Sequence, residues 1–323
     1  MILKLSMVLL LIQLFLDLPN VSAQTFHYNF KNASSTDYRC DCLFITLQQP
    51  FHKITEVSKP HLTGKTDDSV TSIYFTPGST FQEFPSMICD KFKNVLSIFI
   101  DNSVEIIREK AFEKCTKLER IFLYVIDGLD EKMFSKNSKL HTVSIKSRTL
   151  KTLSKNIFTS INQTLTSFTL YIASDSFRFP DNFVSSLTNL KTIFFQIFDL
   201  VDLPQNYFEN LQNLINLRIP LCNIRDLPKD IFKPLKNLQY IDLSSNKLTA
   251  IHADSFGSHP DLMVADFDGN NLVSFDPKFY QFTSLLYVSF AGSCGTHERL
   301  ELNFDKSITK NQDNDCTKNY KPR

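Results

Sequence analysis

The 323-residue sequence contains no tryptophan and only 7 glycines, and its 35 basic and 34 acidic residues nearly cancel. A balanced charge excludes the basic footprint of a protein that binds nucleic acid or anionic membranes. So few glycines argue against a loop-rich enzyme. His27, His52, His61, His141, His252, His259 and His297 show no H-x-x-x-H spacing, and no paired C-x-x-C motifs accompany them. No metal site is therefore expected. There is no G-x-S-x-G, no phosphate-cradling glycine loop and no dinucleotide fingerprint. Asp266 and Asp268 share a strand face, but a sheet surface gives too little desolvation to separate two carboxyl pKa values for acid–base work. Neither a cofactor nor catalysis is expected.

Long apolar runs are also missing after the first 23 residues, and "DCTKNYKPR" at the other end is too polar for a lipid-anchor signal. The start reads as an export signal. Lys4 precedes the apolar run Leu5–Leu16, and Val21-Ser22-Ala23 supplies a small-residue cleavage pattern. The expectation is a secreted, extracellular chain beginning near Gln24, with no membrane span. Export makes disulfides permissible, and the seven cysteines are Cys40, Cys42, Cys89, Cys115, Cys222, Cys294 and Cys316. An odd count leaves at least one sulfur over.

What the sequence does have is phenylalanine, 30 of them, and a period of about 24 residues. In "NLQYIDLSSNKL" (237–248), take Leu238 as offset 0. Apolar residues then fall at offsets 3, 5, 10 and 13 as Ile241, Leu243, Leu248 and Ile251, with Asn246 at offset 8 and Phe256 at 18. Offset 0 recurs as Val70, Val95, Leu118, Leu140, Leu165, Leu190, Leu214, Leu238, Leu262 and Leu285. The pattern is L-x-x-L-x-L-x-x-N/C-x-L, and over about residues 70–293 the chain resembles the leucine-rich repeat family.

That resemblance implies an α/β solenoid, a curved horseshoe of about nine to ten repeats with a parallel sheet on its concave face and a cap at each end. The residues read the same way. Alternation at offsets 3 and 5 makes a half-buried strand, and strands recurring in one direction must pair in parallel. Offset 18 carries Phe158, Phe183, Phe208, Phe232 and Phe256, with Phe112 and Phe134 slightly early in two shortened repeats, and these should stack as a spine. Asn246 and Asn270 at offset 8 should bond backbone groups of adjacent repeats, with Cys222 a weaker substitute. Arg148, Ala173 and Phe198 hold offset 8 further back, so the amide ladder should be missing and the backbone irregular around residues 120–200. The domain reading is a signal at 1–23, an N-terminal cap at 24–69, repeats at 70–293, and a C-terminal cap and tail at 294–323.

"YRCDCLFITL" (38–47) resembles the cysteine-bearing cap of extracellular members of the family, which implies a bridge from one of Cys40 and Cys42, here Cys42, to Cys89. A second bridge, Cys294–Cys316, would pin the tail. Cys115 and Cys222 read as buried structural thiols. For the sulfur left over at Cys40 or Cys42 two readings stand, an interchain bridge giving a disulfide-linked dimer, or a free thiol.

The residues between the buried strand positions point to the concave face and form the candidate ligand-binding surface. They are Tyr74, Phe99, Arg120, Phe122, Tyr124, Tyr171 and Phe194 on an aromatic stretch, then Arg218, Tyr240, Asp242, Asp266 and Asp268 on an acidic one; Ile172 and Ile197 join the same columns. An aromatic patch of this kind points to an extracellular protein ligand of unknown identity rather than nucleic acid. Sequons at Asn32 and Asn162 are candidate glycosylation sites. The signal and the compact repeats resemble secreted insect leucine-rich repeat proteins, immune-recognition ones among them; matrix proteins and soluble receptor modulators are the alternative.

Overall fold

A computed structural model describes residues 24–44, 54–75, 81–200 and 203–292. The export signal and both Cys294 and Cys316 lie outside the described residues. The chain winds as a solenoid with one long sheet on its inner face. At the front, β1 (Gln24–Asn32) and β2 (Tyr38–Phe44) form an antiparallel hairpin, with β3 (Ile54–Ser58) parallel to β1 at the sheet edge. Strand β2 then pairs in parallel with β4 (Ser72–Phe75), so the hairpin closes the end of the array.

From β4 onward every neighbour is parallel. The main strands are β6 (Ser97–Ile107), β7 (Arg120–Leu129), β8 (Thr142–Ser147), β9 (Ser167–Ile172), β10 (Thr192–Ile197), β11 (Asn216–Arg218), β12 (Tyr240–Asp242), β14 (Val264–Asp266) and β16 (Tyr287–Ser289). The short β5 (Phe81–Glu83) adds to β6, and β13 (Ala250–Ile251) pairs with β15 (Ser274–Phe275) on the returning side. The return segments are mostly turns; the α-helix among the described residues is α1 (Ile88–Lys91).

The repeat pattern dictates the core. Residues at offsets 0, 3 and 5 are buried all along the array, as in Leu214, Leu217 and Ile219. Behind them the phenylalanine spine forms as expected. Ring centroids lie 5.8 Å apart for Phe112–Phe134, 6.3 Å for Phe134–Phe158, 5.8 Å for Phe208–Phe232 and 4.9 Å for Phe232–Phe256. Burying each ring stabilises the array by roughly 2–3 kcal/mol, and only the neighbouring repeat makes that burial possible. Between Phe183 and Phe208 the spine steps sideways through Phe179 and Tyr207, at 5.5, 5.9 and 5.1 Å.

The repeat type changes just after that step, between β10 and β11. In β8, β9 and β10 the pairing is unbroken over six residues and burial alternates to the last one. Ser147, Ile172 and Ile197 at offset 7 point into the core, and Arg148, Ala173 and Phe198 at offset 8 are exposed. In the following repeats the strands are three residues long and the chain turns earlier. Offset 7 becomes a left-handed residue, Leu221, Ser245 and Gly269 at φ 58°, 55° and 67°, and offset 8 is buried as Cys222, Asn246 and Asn270.

The expected irregularity over 120–200 is thus corrected. The amide ladder is missing there, but the strands lengthen instead of breaking, because backbone pairing satisfies the groups that the amide satisfies elsewhere. Register shifts are confined to the start of that span, between β6 and β7 at Ile100/Ser103 and Val104/Ile106, where residues 126 and 127 of β7 are the one irregular stretch of the expected span among the described ladders. The same lengthening removes Ile172 and Ile197 from the concave face.

The amide ladder of the C-terminal repeats is complete. Asn246 Oδ1 accepts from the Cys222 and Ile224 amides at 3.0 and 3.1 Å, and its Nδ2 donates to the Ile219 and Leu243 carbonyls at 2.8 and 2.9 Å. Asn270 repeats the arrangement on Leu248, Leu243 and Phe267. Cys222 begins the column, its Sγ accepting from Ile197 N at 3.2 Å. Burial pushes this thiol up to about 12, so it stays protonated.

The cysteine pairing differs from expectation. Cys89, on α1, is bonded to Cys115 in the next return segment, and Cys40, Cys42 and Cys222 are buried. The Cys42–Cys89 bridge is therefore wrong, and Cys115 is no free thiol. Cys89 and Cys115 lie one repeat apart in the same layer, whereas Cys42 faces the interior of the hairpin beside Cys40, Sγ to Sγ 3.2 Å. Burial, then the neighbouring Cys40, hold the Cys42 thiol well above its ordinary value. Both sulfurs are fully buried, so neither offers itself for the interchain bridge of a disulfide-linked dimer.

Candidate functional site

The concave column at offset 4 opens with stacked rings. The Arg39 guanidinium sits 3.1 Å from the Tyr74 centroid; Tyr74 stacks on Phe99 at 4.0 Å and 13°, and Phe99 on Phe122 at 4.5 Å and 9°. Parallel in-register strands put equivalent side chains about 4.8 Å apart, which is what brings three rings into one column. All three are half-buried, each covered by its neighbours and open above. Burial raises the Tyr74 phenol, so it remains a neutral donor. Beside the stack, Arg120 donates from Nε to Ser97 Oγ at 2.9 Å, and Lys146 stands 5.2 Å from the Tyr124 ring.

Further along, Tyr171 leans on Phe194 at 5.1 Å. Arg218 lies between Phe194 and Tyr240, 5.0 and 5.8 Å from their rings, with Nε 3.2 Å from Asp242 Oδ2. The aromatic residues expected on this face are therefore there and in contact. The acidic stretch is different. Asp242 is buried, and its Oδ1 accepts from the Ser244 amide and hydroxyl at 3.0 and 2.6 Å. Asp266 accepts from Asp268 N at 2.9 Å, and Asp268 from Ala291 N at 2.7 Å and from the Ser289 hydroxyl. These carboxylates fasten the turns after the strands, so the column presents less free negative charge than its composition suggests.

Asn32 is exposed at the end of β1. Asn162 sits in the turn before β9, at the edge where strands enter the sheet, and its carbonyl accepts from Asn189 Nδ2 at 3.3 Å. Among the described residues, no group of His, Cys, Asp and Glu could hold a metal, and no helix is long and apolar enough to cross a membrane.

The sequence reading missed a second feature, at the opposite edge. Where β10 gives way to β11 a groove of about 380 Å³ opens, with Tyr171, Ile172, Phe198 and Leu221 among its lining, and Lys146 and Arg148 as its charged residues. Phe198 is 57% exposed and Leu221 53%. Leu221 is the only apolar residue among the described non-glycine residues with positive φ. A left-handed leucine costs about 1–2 kcal/mol, and leaving it in water forgoes its burial as well. The signal was present in the repeats themselves, since offset 7 carries Ser245 and Gly269 in the two that follow.

Two family models match this sequence, a BspA type leucine rich repeat region over residues 82–200 and a leucine rich repeat over 212–272, together more than half of the chain. The chain is a leucine-rich repeat protein. The boundary between the two models falls at the change of repeat type seen in the fold. Among solved structures it is similar to the TLR13–ssRNA13 complex, with TM-score 0.58 and 18% identity over 70% of this chain and 32% of that one. It is also similar to the glycosylated Toll–Spätzle complex from Drosophila, with TM-score 0.53 and 21% identity over 70% of this chain and 34% of that one. At such identities the likeness is one of fold, and this chain spans about a third of the length of either. No curated protein sequence matches it.

Proposed function

We propose that this protein recognises a protein ligand through its concave sheet, with the stack Tyr74–Phe99–Phe122 at the centre of the contact. The carrying observation is the stack itself. Three aligned, half-open rings, stiffened by one another and by Arg39, offer large apolar area at little further entropy cost, the property of interface hot spots. Protein is favoured over nucleic acid because the chain carries 35 basic against 34 acidic residues. The export signal read at residues 1–23 supports an extracellular setting. An immune-recognition role rests on the resemblance to secreted insect relatives and on the fold shared with the Toll–Spätzle complex, whose description places it in development and innate immunity.

The test is capture from extracellular fluid by the wild-type chain and by Phe99→Ser/Phe122→Ser, with circular dichroism melts as the folding control. A partner held by wild type and lost by the variant at an unchanged melt supports the reading. An identical set of partners refutes it.

A further inference from the structure

The groove at the change of repeat type is a second surface, separate from the aromatic stack. Its construction follows from the two turn types. In β10 the strand runs on to offset 7, three residues beyond where β11 stops, burying Ile197 and leaving Phe198 exposed. In the next repeat the chain turns at offset 7, and Leu221 projects beside it. Cys222 joins the two backbones below, accepting from Ile197 N and donating to Phe195 O. The mismatch leaves a notch with apolar walls that neither repeat type would form by itself.

Three observations indicate that the notch is occupied in function. Leu221 keeps a strained conformation in which its side chain stays exposed, and the equivalent Ser245 and Gly269 show that the turn has no need of a leucine. Phe198 stands exposed across from it. The charge is one-sided, since the lining contains Lys146 and Arg148 and no carboxylate, and neither cation makes an ion pair among the described residues. An apolar notch rimmed by cations on one wall matches a large apolar side chain with carboxylates beside it.

We propose that the groove between Arg148 and Leu221 docks an acidic peptide segment of a partner protein, with one aromatic or aliphatic side chain seated between Phe198 and Leu221 and the flanking carboxylates on Lys146 and Arg148. Protein is favoured over a polynucleotide because the groove has only two cations, too few to track a phosphate backbone. The sequon at Asn162 lies at the other edge of the sheet, where a glycan would leave this groove open.

The test uses the full chain and three fluorescein-labelled probes: an Asp/Glu-rich peptide with a central phenylalanine, the same peptide with lysine for each acid, and oligouridylate. The acidic peptide should bind saturably and weaken with added salt, and the lysine peptide should bind at least tenfold more weakly. Arg148→Glu should weaken the acidic peptide at least tenfold. Leu221→Gly should weaken it at least fivefold while raising the thermal midpoint, because glycine relieves the left-handed strain. Absence of saturable binding, equal binding of both peptides, or preference for oligouridylate overturns the proposal. So does a Leu221→Gly chain that binds normally or melts lower. Phe99→Ser/Phe122→Ser leaves this groove intact, so failure here and failure of the concave-face reading can be told apart.

Discussion

Replacing Asn246 by alanine should be the costliest polar substitution in the C-terminal half. Its carboxamide holds the amides of Cys222 and Ile224 and the carbonyls of Ile219 and Leu243, all buried between repeats. Alanine orphans two donors at about 1–2 kcal/mol each, and carbonyls tolerate the loss better, so the cost is about 3 kcal/mol. Native-state hydrogen exchange reads this directly, because the orphaned amides are the reporters. Their protection should fall by roughly two orders of magnitude, at about 1.4 kcal/mol per tenfold. Asn237→Ala is the control; its Nδ2 donates to the Gln212 carbonyl at 2.9 Å on the exposed side and should cost less than about 1 kcal/mol. If Asn246→Ala costs no more than Asn237→Ala, or leaves the Cys222 and Ile224 amides protected, the ladder is not what ties these repeats together.

Acidification should loosen the array through His259. Burial holds its imidazole below the ordinary value of 6.5 and outweighs the backbone carbonyls of Phe256, Leu235 and Phe232 that face the ring. The unfolded chain takes up the proton first, so stability is intact above pH 6.5 and is lost as pH falls below it toward the folded value. His259→Asn imitates Asn137, whose Nδ2 donates to the Phe112 and Cys115 carbonyls at 3.1 and 2.8 Å, and urea midpoints between pH 7 and 5 should be flatter for it than for wild type. Equal slopes would contradict this. Cys89→Ala/Cys115→Ala opens a loop of 26 residues and should cost about 3.5 kcal/mol of unfolding free energy. Thiol labelling of the native chain should meanwhile leave Cys40, Cys42 and Cys222 unmodified until urea is added, and rapid native labelling would contradict their burial.

The apolar offsets and the phenylalanine spine were legible because burial repeats with the chain: each Leu at offset 0 and each Phe at 18 meets its own counterpart. Asn246 and Asn270 were legible for the same reason. The change of repeat type was not. Ile172 and Ile197 at offset 7 read as outward residues if every repeat turns like "NLQYIDLSSNKL", and only strand pairing to the sixth residue turns them inward. The missing asparagines at 148, 173 and 198 hinted at a different turn without saying which. The disulfide had a signal that went unused: Cys89 and Cys115 are 26 residues apart, close to one repeat, so stacking alone brings them together. On the binding face, side-chain direction identified the aromatic column, while the engagement of Asp242 and Asp268 by local amides and hydroxyls could not be seen from the repeat pattern.

The junction at β10 and β11 also bears on how the molecule yields. Before it, long strands share six-residue ladders; after it, three-residue strands lean on buried amides. Across it run three paired positions, Thr192 to Phe194 with Asn216 to Arg218, the Leu200 amide on the Cys222 carbonyl, the Asn223 side chain on the Phe198 carbonyl, and a thiol where an amide would otherwise stand. The solenoid is thus two coils of different construction that meet at one seam. The seam passes between Phe198 and Leu221, so any bending that reached it would change the distance between the two walls of the groove.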